Sequence, residues 1–214
     1  MEKNFIQTID ELSDITSENL IGFKYCKDYE DTLLHIETLI DSSILLYKNN
    51  FINQSFFFTI TAIEEISKAV VCLHRNREGE NEVKRQKDSL FNHKIKHKIA
   101  ANDIFFQYTK LKKKIGKEKV SLIYNNLKSG HYSKLRESAI YFQISVDTVQ
   151  LPYSLIESDE AGNILLLCIE LFEDSLFGVS DKSDIITDRV LSKFRRVLRY
   201  KKSRHQNLKS NNLV

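Results

Sequence analysis

Tryptophan is absent from these 214 residues, proline occurs once, at Pro152, and glycine only six times. A chain so poor in helix breakers and turn formers argues against a turn-rich β architecture and for a mainly α protein. Cysteine is scarce too: Cys26, Cys72 and Cys168 are odd in number, far apart and without C-x-x-C spacing. That pattern disfavours a disulfide framework and a structural zinc site, and it fits a reducing cytoplasm. Long apolar runs are missing, since the nearest approach, Phe56 to Leu73, is broken by Glu64, Glu65 and Lys68. No membrane span is expected, and the opening Met1-Glu2-Lys3-Asn4, leading to Asp10, Glu11 and Asp14, does not read as a signal peptide. Charge of one sign is lacking as well. With 32 Lys+Arg against 29 Asp+Glu, a net charge of +3 does not by itself mark a nucleic-acid binder, so the distribution of charge has to carry the argument.

What the chain does have is two adjacent carboxylates, Glu64 and Glu65, in the middle of its most apolar stretch. Burying a charged carboxylate without a partner costs several kcal/mol, so the sequence must supply partners, shift the pKa values, or use the groups. The nearest candidates are Lys68, one helical turn on, and the cluster Phe91-Asn92-His93-Lys94-Ile95-Lys96-His97-Lys98.

Length and a hydrophobic content of 42% support one core, which we place in a single domain over 1–205 followed by a flexible polar tail at 206–214. A first helix is expected from near Tyr29, with Asp28 as a cap and Leu33, Ile36, Leu39, Ile40, Ile44 and Tyr47 at three- and four-residue steps, ending at Asn49-Asn50. The second runs from Phe51 or Asn53 to His74 and is apolar almost all round, as befits a central helix. At 100° per residue Glu64 and Lys68 share a stripe with Thr61 and Cys72, and Glu65 lies on its edge. After a charged connection at 76–85, a long third helix is expected from about Lys87 to Lys113, with Phe91, Ile95 and Ile99 on one face and His93, His97, Ala100 and Ile104 on the other. Shorter helices follow at Lys117 to Lys128 and Lys134 to Gln143, with a turn at Ser129-Gly130. The stretch around 140–153 reads as irregular or as a short strand pair. Ser158 is expected to cap a helix through Leu176, ended by Gly178, and a basic helix spans Asp184 to about Arg204.

The order Ala62-Ile63-Glu64-Glu65-Ile66-Ser67-Lys68-Ala69, Phe91-Asn92-His93-Lys94-Ile95-Lys96, then Lys134-Leu135-Arg136-Glu137-Ser138-Ala139-Ile140-Tyr141 before Pro152 resembles the AbiV family of bacterial abortive-infection proteins over roughly residues 30 to 180. Where members of that family often follow the tyrosine with valine and aspartate, this chain has Phe142 and Gln143, so no catalytic aspartate is assigned there. The resemblance implies an all-α, HEPN-like helical bundle that defends a bacterium against phage by halting growth or translation. It implies RNA or the translation machinery as target, a phage-encoded activator protein as trigger, and a homodimer. Many HEPN proteins are metal-independent ribonucleases with an arginine followed four to six residues later by histidine; the one formal match here is Arg199 to His205.

Metal-independent RNA cleavage needs a base for the 2′-hydroxyl, an acid for the leaving oxygen and cations for the phosphorane. The candidate catalytic set is Glu64, Glu65, Lys68, His93 and His97, with a histidine moving the proton, a carboxylate orienting it and Lys68 on phosphate. Candidate RNA contacts are Lys94, Lys96 and Lys98, and Arg195, Arg196 and Arg199 on the basic last helix. No cofactor and no metal is assigned, although H-x-x-x-H facing two glutamates leaves a carboxylate/histidine metal site open. So are plainer readings: an intrahelical Glu64–Lys68 pair, Glu65 bonded to the third helix as a bundle lock, a solvated basic helix, and Tyr141 as a half-buried core residue. A non-enzymatic toxin that binds a ribosomal, RNA or phage protein partner is the alternative function.

Overall fold

The computed structural model describes residues 22–23, 25–75, 88–102, 109–152 and 156–211. The connection at 76–85 and Ile104 lie outside them, and the side chain of His205 is not described. The elements in chain order are α1 (Cys26–Lys48), α2 (Ile52–His74), α3 (His93–Ala100), α4 (Thr109–Ile115), α5 (Lys117–Ser129), α6 (His131–Ser138), β1 (Gln143–Ile144), β2 (Val149–Gln150), α7 (Ser158–Leu176) and α8 (Asp181–Asn211). The fold is all-α with one two-stranded antiparallel ribbon, in which Gln143 pairs with Gln150 and Ile144 with Val149.

Four long helices form the bundle: α1 packs on α2, α7 and α8, and α7 packs on α2 and α8. The core they share includes Leu33, Ile36, Ile40, Ile60, Ile63, Leu166 and Val197, all fully buried. Helix α7 is buried at every position from Ala161 to Phe172, which makes it the central rod. Hydrogen bonds brace the bundle at both ends: Tyr29 donates to the Leu176 carbonyl at 2.6 Å and Tyr47 to the Ser158 carbonyl at 3.1 Å. Where α1 and α2 meet, Ser43, Ser55 and Thr59 bond one another, with Ser43 and Ser55 also donating to each other's carbonyls at 2.9 Å. The short helices α3 and α6 lie against the other side of α2, α5 joins them, and α4 touches α5 and α7.

Several boundaries differ from the sequence reading. Helix α1 starts at Cys26; Asp28 sits in its first turn and accepts the Tyr25 N–H at 3.1 Å instead of preceding the helix. The chain turns back at Asn50, which adopts φ 69°, a left-handed conformation that asparagine tolerates. The expected third helix is interrupted: α3 ends at Ala100, with the N–H of its cap residue Ala101 on the His97 carbonyl, and the described part of α4 is a separate segment, Thr109–Ile115. Between α5 and α6 the turn falls at Gly130 as read, with φ 75° that glycine adopts without strain. Glu157, not Ser158, holds the cap position of α7, and α8 begins at Asp181 and continues to Asn211, past the point assigned to a polar tail. Tyr141 is 65% exposed, so it is no core residue.

Candidate functional site

The carboxylate of Glu64 is the point where three helices meet. Its position on α2 is 2% exposed. Helix α3 is set against α2 by a hydrogen bond from Ser67 Oγ to the Lys96 carbonyl at 2.8 Å. Asn92 caps α3, its side chain accepting from the N–H groups of Lys94 at 3.0 Å and Ile95 at 3.3 Å, which fixes the first turn. Positions i, i+3 and i+4 of that turn, His93, Lys96 and His97, then face Glu64 together. His93 Nδ1 lies 2.6 Å and Lys96 Nζ 3.0 Å from Oε2, and His97 Nε2 is 3.1 Å from Oε1. From α6, Arg136 adds a guanidinium bond to Oε2 at 3.0 Å.

Burial alone would raise the Glu64 pKa, but the His97 hydrogen bond and the Lys96 and Arg136 charges outweigh it and bring it down to about 2. Lys96, 3% exposed, is shifted downward by desolvation, against which the Glu64 charge acts. A carboxylate held this firmly ionised, with four donors on two oxygens, is a poor proton acceptor; it orients the groups around it. The three basic neighbours are not equivalent. His97 is fully buried, and with Nε2 on Glu64 its Nδ1 has no partner among the described residues. His93 has a side chain 42% exposed, so with Nδ1–H on Glu64 its Nε2 is left for solvent or a ligand. Arg136 is partly open, 13% exposed, and stands over the Phe57 ring at 5.9 Å.

Glu65 does not join this cluster. It bonds Lys68 within α2 at 2.5 Å, and both side chains are partly exposed. The expected partners are thus exchanged: Glu64 reaches the α3 segment and Glu65 takes the intrahelical lysine, because the 100° step between adjacent residues turns Glu65 off the buried stripe. Of the two adjacent carboxylates, Glu64 is the one bonded to α3, and Glu65 pairs within α2. Lys94 and Lys98 are exposed on the far side of α3 from Lys96. With Glu65 turned away and Lys96 and Arg136 occupying Glu64, the two-glutamate metal site is not assembled; among the described residues there is no group of three or more His, Cys, Asp or Glu suited to a metal ion.

The basic residues of α8 are divided. Arg189 and Lys193 bind Glu37, Lys193 also holds Asp41 at 2.7 Å, and Lys201 holds Asp159 at 2.9 Å. Arg196 stands near the Glu37 and Asp41 face, whereas Arg195 and Arg199 look onto a separate groove beside α4. The residue that sequence reasoning missed is Arg136. It stands inside the third motif, and the signal was available: an arginine on a short helix, unpaired by any nearby acid at i±4, in a chain that had to neutralise a buried glutamate elsewhere.

Among the described residues no helix is long and apolar enough to cross a membrane. A HEPN-type family model described as AbiV matches residues 24–171. No curated protein and no solved structure matches the chain.

Proposed function

This chain belongs to the AbiV family of HEPN-type proteins, and we propose that it is a cytoplasmic abortive-infection effector that arrests growth by cleaving RNA without a metal ion. The observation that carries this reading is the 2.6 Å bond between a buried, firmly ionised Glu64 and a half-exposed His93. A carboxylate on Nδ1 fixes the ring's orientation and tautomer and presents Nε2 as the atom that takes the proton. His93 is then the proton-transfer group for the 2′-hydroxyl, and Arg136, beside it and partly open, stabilises the phosphorane charge. Lys68 adds a second cation on the same side of α2, tempered by Glu65, while His97 and Lys96 hold Glu64 from within. One subunit offers one half-exposed imidazole at this centre, whereas cleavage uses a base and an acid. A homodimer that brings a second copy's centre to the same strand completes the pair.

Purified protein incubated with cellular RNA in EDTA is expected to give defined fragments, and His93→Gln, shown to fold by its melting curve, is expected to give none. Fragments from the folded variant at the wild-type rate would overturn the role of His93. The saturation of Glu64 favours a second reading, in which the network is only a lock between α2, α3 and α6 and the protein blocks translation by binding a ribosomal, RNA or phage protein partner. Arrested translation with intact RNA selects that reading.

A further inference from the structure

A second concentration of positive charge lies away from Glu64, on elements that take no part in its network. Helix α4, reading Thr-Lys-Leu-Lys-Lys-Lys-Ile, runs beside α8 and leaves a groove of about 820 Å³. One wall carries Lys110 and Lys114, spaced i, i+4; the other carries Arg195, Arg199 and Lys202, spaced i, i+4, i+7 on one face of α8. The floor is Leu191, Phe194 and Leu198. Lys110 is paired with Glu173 of α7. Arg195, Arg199, Lys202 and Lys114 are exposed and have no ion pair among the described residues.

The wall is built in place. Glu170, fully buried on α7, accepts the backbone N–H groups of Lys110 at 2.6 Å and Leu111 at 2.7 Å, so α4 is anchored at its first turn. Among the described residues no carboxylate, hydroxyl or side-chain amide lines the groove. An extended acidic peptide would bring N–H donors into it and find no side-chain acceptor among the described lining residues. A nucleic-acid strand brings acceptors along its backbone and flat faces that suit a leucine floor.

We propose that the groove between α4 and α8 is a binding track for single-stranded nucleic acid, held by its phosphates between the lysines of α4 and the Arg195, Arg199 and Lys202 stripe of α8. It goes beyond the Glu64 centre and does not depend on whether that centre cleaves RNA. With no side-chain acceptor for a 2′-hydroxyl among the described lining residues, the track reads neither sugar nor sequence.

The test is fluorescence anisotropy with labelled oligo(U) and oligo(dT), the latter uncleavable, on wild type, the Arg195→Gln/Arg199→Gln/Lys202→Gln variant and His93→Gln. The triple variant is expected to keep the wild-type melting temperature, lose affinity at least about tenfold and flatten the salt dependence by about 2 in log–log slope. His93→Gln keeps oligo(U) intact during the measurement, and the two oligonucleotides are expected to bind about equally. Unchanged affinity in the folded triple variant would overturn the track, as would displacement of oligo(dT) by oligoglutamate at equal charge, which assigns the groove to an acidic protein. A tenfold preference for oligo(U) would overturn the sugar-blind mode. Normal binding with no cleavage leaves the track standing and removes the ribonuclease reading alone.

Discussion

Replacing Glu64 by glutamine keeps the shape of the side chain and removes its charge, which leaves Lys96 and Arg136 facing each other in a buried site. The magnitude follows from the carboxylate's own equilibrium. A pKa of about 2 in the fold, against an ordinary value of 4.5, corresponds to about 3 kcal/mol at 1.4 kcal/mol per unit. Because the folded value is the lower one, this contribution is complete above 4.5 and is lost as pH falls through about 2. Breaking a buried pair from one side costs about 3–5 kcal/mol in other settings, which agrees. Glu64→Gln should therefore lower stability by about 3 kcal/mol at pH 7, or the melting temperature by about 6–12 °C for a chain of this size. Urea denaturation of both proteins between pH 7 and pH 2 reads it directly, with the gap closing as the pH approaches 2. Adding Lys96→Met to Glu64→Gln removes a stranded cation and should recover part of the loss. A variant within about 1 kcal/mol of wild type at pH 7, or a gap that persists undiminished at the acid end, would refute the electrostatic account.

Arg75 and Asp88 form a second buried pair, bonded at 2.8 and 3.2 Å, and Asp88→Ala should cost about 3–5 kcal/mol by denaturant titration; a loss below 1 kcal/mol would deny it that role. At Gly162 a Cβ would stand 2.5 Å from the Tyr47 hydroxyl and 2.9 Å from Lys201 Cγ, so Gly162→Ala should lower the melting temperature although alanine favours helix by about 1 kcal/mol. An unchanged or raised melting temperature contradicts the close approach. Burial pushes the Cys72 thiol up to about 11 and the Cys168 thiol well above its ordinary value, while Cys26 is exposed. A thiol reagent at neutral pH should modify one cysteine per native chain and three after unfolding; two fast native thiols would be inconsistent with this packing.

The apolar setting of Glu64 was enough to anticipate its contacts from sequence, because a buried carboxylate demands cations and the nearest stood in one helical stripe at His93, Lys96 and His97. Which of two adjacent glutamates points inward depends on helix rotation, and a shift of one residue exchanges their partners; that is how Glu65 came to be grouped with Glu64. Arg136 was harder to pair for a different reason: the missing acid at i±4 marks it as needing a distant partner, but Glu64 lies 72 residues away and no local spacing rule names it. The end of α3 at Ala100 carries no Gly or Pro signal, only Asn102 beyond its cap, so a helical period read on both sides ran straight through it. The basic stripe of the last helix was plain to see. Its division into cations spent on Glu37, Asp41 and Asp159 and cations left over was not, since it depends on which helices are neighbours. The ribbon at 143–150 was legible because β-branched residues replaced the helical period there.

The hydroxyl cluster of Ser43, Ser55 and Thr59 imposes an order on folding. Its members are only 12 to 16 residues apart, across the tight reversal at Asn50, whereas Tyr29 meets Leu176 across 147 residues. Closing a short loop costs less chain entropy than closing a long one, and local contacts are made sooner. The α1–α2 hairpin is thus expected to form early, its small side chains letting two backbones approach while their hydroxyls satisfy one another, with α7 docking onto a surface already assembled. Weakening Ser43 slows folding; weakening the Tyr29 to Leu176 bond mainly speeds unfolding.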